Sequence, residues 1–374
     1  MNEPFVFGKA VTGQYFTDRK EETLKLVNNF RYGINTIIIS PRRYGKTSLV
    51  KKAISSCEDP KVKIVFMDIF AGRNPEEFCR IFADAIIKQT SSKLEEWTDM
   101  ARNFLSQLSP RFNLSTDPMN ELSISFGLKP NEPDIDTILD LPEKIAISKK
   151  CRIVVCIDEF QQVGEYPDSL YFQRKLRSHW QHHQHVSYCL FGSKKHMMTE
   201  LFGKQSYPFY KFGELFYLGK IPQPDWVEFI EERFKSAGKK IKRSVAERIC
   251  ELADNYSSYV QQLSWLLWIK FEEKRQEEIL EDTFEELLTH CSVLFEQQTQ
   301  NLTAYQMNFL KAIANGVTKD FTKKDIIDCF DLGTPGNINR LRTALMQREL
   351  IDYSQDGYYI ADPVLKVWLK RRLG

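Results

Sequence analysis

The run Thr36-Ile-Ile-Ile-Ser40-Pro-Arg-Arg-Tyr-Gly45-Lys46-Thr47-Ser48-Leu49 constrains this chain more than any other stretch. Thr36 to Ile39 is an unbroken apolar run, the pattern of a strand buried on both faces, and it leads through a tight loop into a helix start. The loop meets every fixed position of G-x-x-x-x-G-K-[ST] except the first, where Ser40 stands in place of Gly. The chemistry of such a loop survives that change. Backbone N–H groups around Arg43 to Thr47 are expected to point at a β-phosphate from a helix N-terminus, where the dipole favours negative charge. Lys46 supplies a point charge for β- and γ-phosphates, and the Thr47 hydroxyl is placed to join a Mg²⁺ shell. Ser40, Pro41, Arg42, Arg43, Tyr44, Gly45, Lys46, Thr47 and Ser48 are therefore the candidate nucleotide-binding residues. Taken alone, the run is equally compatible with a Gly-containing turn in an unrelated protein.

A second segment tips that balance. Ile153-Val-Val-Cys-Ile157-Asp158-Glu159 is a buried strand ending in two carboxylates, the form of a Walker B segment. In that arrangement Asp158 holds Mg²⁺ and Glu159 polarises the water that attacks a γ-phosphate. A third strand, Val186 to Phe191, ends in Gly192-Ser193. Ser193 is the candidate for sensing the γ-phosphate and aligning water, although a strand-ending Gly-Ser is also an ordinary turn. The expected catalytic set is Glu159, Ser193 and Lys46, the metal set Thr47 and Asp158, and the cofactors ATP and Mg²⁺.

Apolar runs at Thr36 to Ile39, Ile64 to Met67, Ile153 to Ile157, Tyr188 to Phe191 and Leu215 to Leu218 alternate with helical patterns. Leu49 with Ala53 and Val50 with Ile54 form one i, i+4 stripe. Asn74 as N-cap and Pro75 at the first helical position open another, carried by Phe78, Ile81, Phe82 and Ile86. The expected fold is α/β with a parallel sheet. The segment 97–149 is less regular and reads as an insertion, with a hairpin of Asn113 to Thr116 and Leu122 to Phe126 around Asp117-Pro118.

From Pro222 the period becomes helical throughout. Helices are expected near Asp225 to Ala237 (stopped by Gly238), from a capping box at Ser244-x-x-Glu247, near Ser257 to Lys274 and near Asp282 to Gln298. Helical patterns at Ala304 to Asn315, Lys323 to Cys329 and Pro335 to Arg348, then Leu350 to Ser354, the turn Gln355-Asp356-Gly357, and Tyr358 to Ile360, spell a winged helix-turn-helix. The expected domains are 1–221, a nucleotide-binding core carrying the 97–149 insertion; 222–300, a helical lid; and 301–374, the winged helix.

Charge narrows the partners. The 52 basic and 50 acidic side chains leave a net +2, so no global field marks nucleic acid or an anionic membrane as the target. Eight scattered cysteines without a Cys-x-x-Cys pair read as free thiols in a reducing cytoplasm, and no run of 18 apolar residues suggests a membrane span.

Phe5-x-Phe-Gly8, Phe16-Thr-Asp-Arg19-Lys-Glu-Glu22, Ser40-Pro-Arg-Arg-Tyr-Gly-Lys-Thr-Ser48, Asp158-Glu159 and Gly192-Ser193 together resemble the archaeal/bacterial ATPase family of AAA+ and STAND-like P-loop ATPases, related to origin-recognition ATPases. The resemblance covers nearly the whole chain. It implies an α/β core, a helical lid and a C-terminal winged helix, with Phe5 to Gly8 and Phe16 to Glu22 lining the adenine side. The chain departs from it in two places. Pro208-Phe-Tyr210-Lys211-Phe212 puts Phe212 where relatives carry an Arg that reaches the γ-phosphate, with Lys211 at best a partial substitute, which puts the usual trigger for hydrolysis in doubt. In the lid, Asn255-Tyr-Ser-Ser258 replaces the relatives' Pro-containing turn. Slow or partner-stimulated turnover is the expectation.

Other features carry two readings each. Arg42 and Arg43 suit either phosphate contact or a solvated surface. His179, His182, His183 and His185 suit a metal or a polar helix end entering a strand. Arg174 and Arg177 suit arginine fingers or a solvated helix face. Residues 301–374 hold 11 Lys/Arg against 8 Asp/Glu. Asn337, Asn339, Arg340, Thr343 and Arg348 on the second helix, with Lys366, Lys370, Arg371 and Arg372, suit double-stranded DNA or a protein contact. Three functions follow: an ATP-driven conformational switch acting on an unidentified protein partner, a DNA-binding regulator tuned by ATP, or a non-hydrolysing adaptor that retains ATP.

Overall fold

The computed structural model describes residues 3–91, 112–116, 122–126 and 132–373. It divides into two compact units, residues 19–219 and residues 1–18 with 220–374.

The first unit is built on five parallel strands, β1 (Thr36–Ile39), β2 (Val62–Asp68), β5 (Arg152–Asp158), β6 (Val186–Gly192) and β7 (Glu214–Tyr217), in the order β2-β5-β6-β1-β7. All seven residues of β6 and six of the seven in β5 are buried, which is why these strands read as unbroken apolar runs instead of alternating ones. Helices α1 (Lys20–Tyr32), α2 (Lys46–Ser56) and α3 (Pro75–Thr90) join the layer. The third begins as its sequence demands: the Asn74 side chain accepts the Glu77 backbone N–H at 2.9 Å and Pro75 occupies the first turn. Trp180 closes the core at the end of helix Ser169–Trp180, stacked on Tyr188 at 4.1 Å and flanked by Phe78, Phe82, Phe160, Phe209 and Phe212.

Within the segment read as an insertion, β3 (Phe112–Thr116) and β4 (Leu122–Phe126) pair antiparallel. Residues 97–111 and the turn at Asp117-Pro118 lie outside the described residues. Two helices, Glu132–Leu139 and Leu141–Lys149, complete the segment. The sequence Asn131-Glu132-Pro133 reads as loop punctuation, but Pro133 falls in the first turn of helix Glu132–Leu139, where a missing N–H costs nothing.

The second unit carries helices Gln223–Ser236, Arg243–Leu252, Ser257–Ile269 and Gln276–Thr299. The capping box at Ser244 and Glu247 does not form: Lys242 is the N-cap, and Ser244 already lies inside the helix. A capping box does form at Thr303 and Gln306, opening Ala304–Ala314. Lys324–Phe330, Ile338–Gln347, the hairpin of Ile351–Ser354 with Gly357–Ile360, and Pro363–Leu373 complete a winged helix. That last helix was read only as a cluster of charges; its Trp368 packs on Phe295 at 5.8 Å, and Tyr259 Oη donates to Asp362 Oδ2 at 2.7 Å beside its start. Phe5 is buried in the same unit against Phe229 and Phe234.

Candidate nucleotide site

Strand register sets the site. Ile39, the last residue before the phosphate loop, pairs with Gly192, while Ile157 pairs with Leu190 and Asp158 with Asp68. The strand ending in Gly192 thus lies between the loop strand and the acidic strand. All three end on the same edge of the sheet, the edge where parallel α/β sheets bind their ligands.

The loop turns through Arg43 (φ +62°) and Gly45 (φ +88°), and Gly45 caps α2 with open space where a Cβ would stand. A side chain at Gly45 is barred by backbone conformation, since L-residues avoid this φ. Ser40, in place of the usual first glycine, is fully buried, so the loop turns its side chain inward. Lys46 is also buried, and its Nζ donates to the carbonyls of Ser40 (3.2 Å) and Pro41 (2.7 Å). Arg42 and Arg43 are exposed, whereas Tyr44 and Ser48 are buried. Beneath the loop, buried Arg19 donates to Glu22 Oε1 at 2.9 Å and to the Gly219 carbonyl at 2.6 Å.

Across from the loop, Thr47 Oγ1 donates to Asp158 Oδ2 at 2.7 Å. Burial pushes the Asp158 carboxyl up to about 6. The charges of Glu159 and Asp68 contribute to that rise, and hydrogen bonds from Thr47 and from the Glu159 backbone N–H limit it. A hydroxyl and a carboxylate this close form the hard-oxygen pair that suits Mg²⁺, a cation that keeps several waters and takes only one or two protein carboxylates. No group of three or more His, Cys, Asp or Glu among the described residues is arranged to hold a metal ion. Asp68, missed in the sequence, brings a third carboxylate to the edge; the apolar strand before it carries the same signal as the one before Asp158.

Glu159 follows at φ +56°, a left-handed conformation costly for a non-glycine residue. Its Oε2 accepts from Ser193 Oγ (2.8 Å), from Ser193 N–H (3.3 Å) and from Gln161 Nε2. Ser193 therefore meets the acidic strand through Glu159. Gln161, also missed in the sequence, sits in a short 3-10 turn with no exposed surface.

The remaining candidates have structural partners. Phe212 is buried among Trp180, Tyr188 and Phe209, so the position where an Arg was expected belongs to the aromatic core. Arg177 lies over the Phe212 ring at 4.9 Å, and Arg174 is exposed. The histidine cluster meets carboxylates from the two helices before β5 and from the turn that joins them. His179 contacts Asp136 (2.8 Å) and Asp140 (2.7 Å), and His185 contacts Glu143 (2.7 Å). His183 lies between Tyr188 Oη (2.9 Å) and Asp140 (3.4 Å). All eight cysteines are free, and Cys79, Cys156, Cys189 and Cys250 are buried. No helix among the described residues is long and apolar enough to cross a membrane.

Residues 16–263 match the family described as an ATPase domain predominantly from Archaea. The chain belongs to this archaeal-type ATPase family. Residues 293–371 match a probable winged helix domain. Among solved structures, the Walker-type ATPase PABY2304 of Pyrococcus abyssi is similar with a TM-score of 0.67 at 17% identity, over 98% of this chain and 99% of that one. The ORC2 protein of Aeropyrum pernix, in its ADPNP–ADP complexes, is similar with a TM-score of 0.55 at 15% identity, over 99% of both chains. At these identities the likeness establishes the fold: an AAA+-like parallel sheet with a C-terminal winged helix. No curated protein matches the chain in sequence.

Proposed function

We propose that this archaeal-type ATPase binds ATP with Mg²⁺ at Ser40 to Ser48 and hydrolyses it, with Glu159 as general base. The observation that carries the reading is the convergence on one sheet edge of two contacts, Thr47 on Asp158 and Ser193 on Glu159. Lys46 and the loop's N–H groups bind the phosphates. Thr47 and Asp158 would hold Mg²⁺, which would supply positive charge to offset the phosphates' negative charge. Glu159 takes a proton from water as the water oxygen bonds to the γ-phosphorus; the bond to the β-phosphate oxygen breaks, releasing ADP and phosphate. Ser193 ties the base to its strand. With Phe212 in the core, no arginine comes from that position, which supports slow turnover or a partner that supplies the missing charge.

The test is ATP binding and turnover with Mg²⁺ in wild type and in Glu159→Gln. The variant is expected to bind ATP and to lose turnover by about 100-fold or more. Equal rates remove Glu159 as the base, and a folded wild type that binds no ATP removes the whole reading. Turnover is proposed to drive a conformational switch read by a protein partner, which the ATP-trapped Glu159→Gln variant should retain better than the ADP-bound wild type.

A second reading, duplex DNA binding, rests on one observation. Asn339, Arg340, Thr343 and Arg348 are all exposed along or at the end of helix Ile338–Gln347, the second helix of the helix-turn-helix, while Ile338, Leu341 and Leu345 are buried.

A further inference from the structure

We propose that Gln161 is a positioning residue for hydrolysis, clamping the Glu159 carboxylate through one oxygen so that the other serves the attacking water. The inference rests on the reading of Glu159 as general base. Three donors converge on Glu159 Oε2: the Ser193 hydroxyl, the Ser193 N–H and the Gln161 amide. Among the described residues Oε1 accepts no hydrogen bond. A carboxylate oxygen with three donors has little capacity left to take up a proton, so the division of labour between the two oxygens is set by the clamp. The donors come from two directions, Ser193 from the neighbouring strand and Gln161 from the turn after the acidic strand, and together they fix a side chain that otherwise rotates about three bonds.

Gln161 is an expensive way to fill its space. Its side chain is fully buried, and its Oε1 has no hydrogen-bond partner among the described residues, which leaves a buried polar atom desolvated without compensation. A methionine would occupy the same volume without that cost. The amide also dictates its neighbour: a Cβ added at Gly192 would overlap Gln161 Oε1, although Gly192 itself has an ordinary strand conformation. Gly192 is thus small because Gln161 is there, and the Gly-Ser at the end of β6 serves the clamp twice, by making room for the amide and by supplying Ser193.

The test combines a kcat-against-KM split with a double-mutant cycle. Gln161→Met is expected to lower kcat about 10-fold while ATP affinity, KM and melting temperature stay near wild type. Gly192→Ala, which pushes the amide off Glu159, is expected to lower kcat similarly, and to add little further loss in a Gln161→Ala background, where the methyl finds space. Unchanged or faster turnover in Gln161→Met, or fully additive losses in the cycle, overturns the clamp. If Glu159→Gln is inactive while Gln161→Met turns over normally, the clamp alone fails; if Glu159→Gln turns over normally, the base assignment fails with it.

Discussion

Thr47 Oγ1 donates to Asp158 Oδ2 at 2.7 Å, joining the first turn after the phosphate loop to the end of the acidic strand. The pair is the oxygen set proposed for Mg²⁺, so its removal should act on the metal-dependent part of nucleotide affinity and spare the rest. Thr47→Val keeps the side chain's shape and deletes the oxygen. Calorimetry with ATP is expected to show affinity in Mg²⁺ reduced about 10-fold or more, with little change in EDTA. The same Mg²⁺ enhancement in variant and wild type would refute the assignment.

Asp158 also makes stability depend on pH in a direction opposite to most carboxylates. Burial raises it from 3.8 to about 6, so between those values the native state holds a proton that the unfolded chain has released. Stability therefore falls as pH rises through the window, and the cost is fully present above it. In metal-free protein at about pH 7.5, Asp158→Asn should raise unfolding free energy by on the order of 2 kcal/mol, the charge being removed from a buried site. Near pH 4 the gain should vanish. Urea titrations at the two pH values measure both, and a gain that persists at low pH would show that burial of the charge is not the cause.

These two contacts also show what a sequence can disclose. β5 and β6 were legible as strands because they are buried on both faces and so carry no polar alternation. Lys46, Thr47, Asp158 and Glu159 were legible because each is tied to a strand end by a short local pattern. The contacts among Glu159, Gln161 and Ser193 were not, since they follow from which strands become neighbours. Asp136 and Asp140 were invisible as partners of His179 for the same reason: Asp136 lies on helix Glu132–Leu139 and Asp140 in the turn after it, and nothing local in the sequence shows which helix packs beside them. The helix Pro363–Leu373 was lost because its apolar residues face both Phe295 and the wing, leaving no clean stripe.

His179 has a carboxylate oxygen at each ring nitrogen, Asp136 at 2.8 Å and Asp140 at 2.7 Å, and Lys175 Nζ also reaches Asp136 Oδ1 at 2.7 Å. The imidazole bridges both carboxylates and so ties helix Glu132–Leu139, and Asp140 just after it, to helix Ser169–Trp180. His179→Ala is expected to cost about 2 kcal/mol in urea unfolding. Burial alone would raise the Asp136 carboxyl, yet the hydrogen bonds from Lys175 and His179 outweigh it and hold the group below its ordinary value. Glu143 is held low in the same way by His185 and by the backbone N–H groups of His185 and Gln184. Their contribution is present above the ordinary carboxylate range and lost as pH falls through the depressed values. Asp136→Asn should therefore flatten the acid limb of the stability profile, and an unchanged limb would count against the clamp.

The basic residues of the winged helix fall into two groups with different availability. Arg371 Nη2 donates to Glu285 Oε1 at 2.7 Å and Arg372 Nη1 to Glu296 Oε1 at 2.7 Å, so both guanidinium groups are engaged with helix Gln276–Thr299. Arg340 and Arg348 are exposed, at the second helix and at its C-terminal end, and form no ion pair among the described residues. If this domain meets duplex DNA, Arg340→Ala should weaken retention about 10-fold and flatten its salt dependence, whereas Arg371→Ala should cost stability more than affinity. Fluorescence anisotropy with a labelled duplex at about 50 and 200 mM salt separates the two. A complete lack of duplex binding at the lower salt would eliminate the DNA reading and leave the exposed face of Asn339, Arg340 and Thr343 to a protein partner.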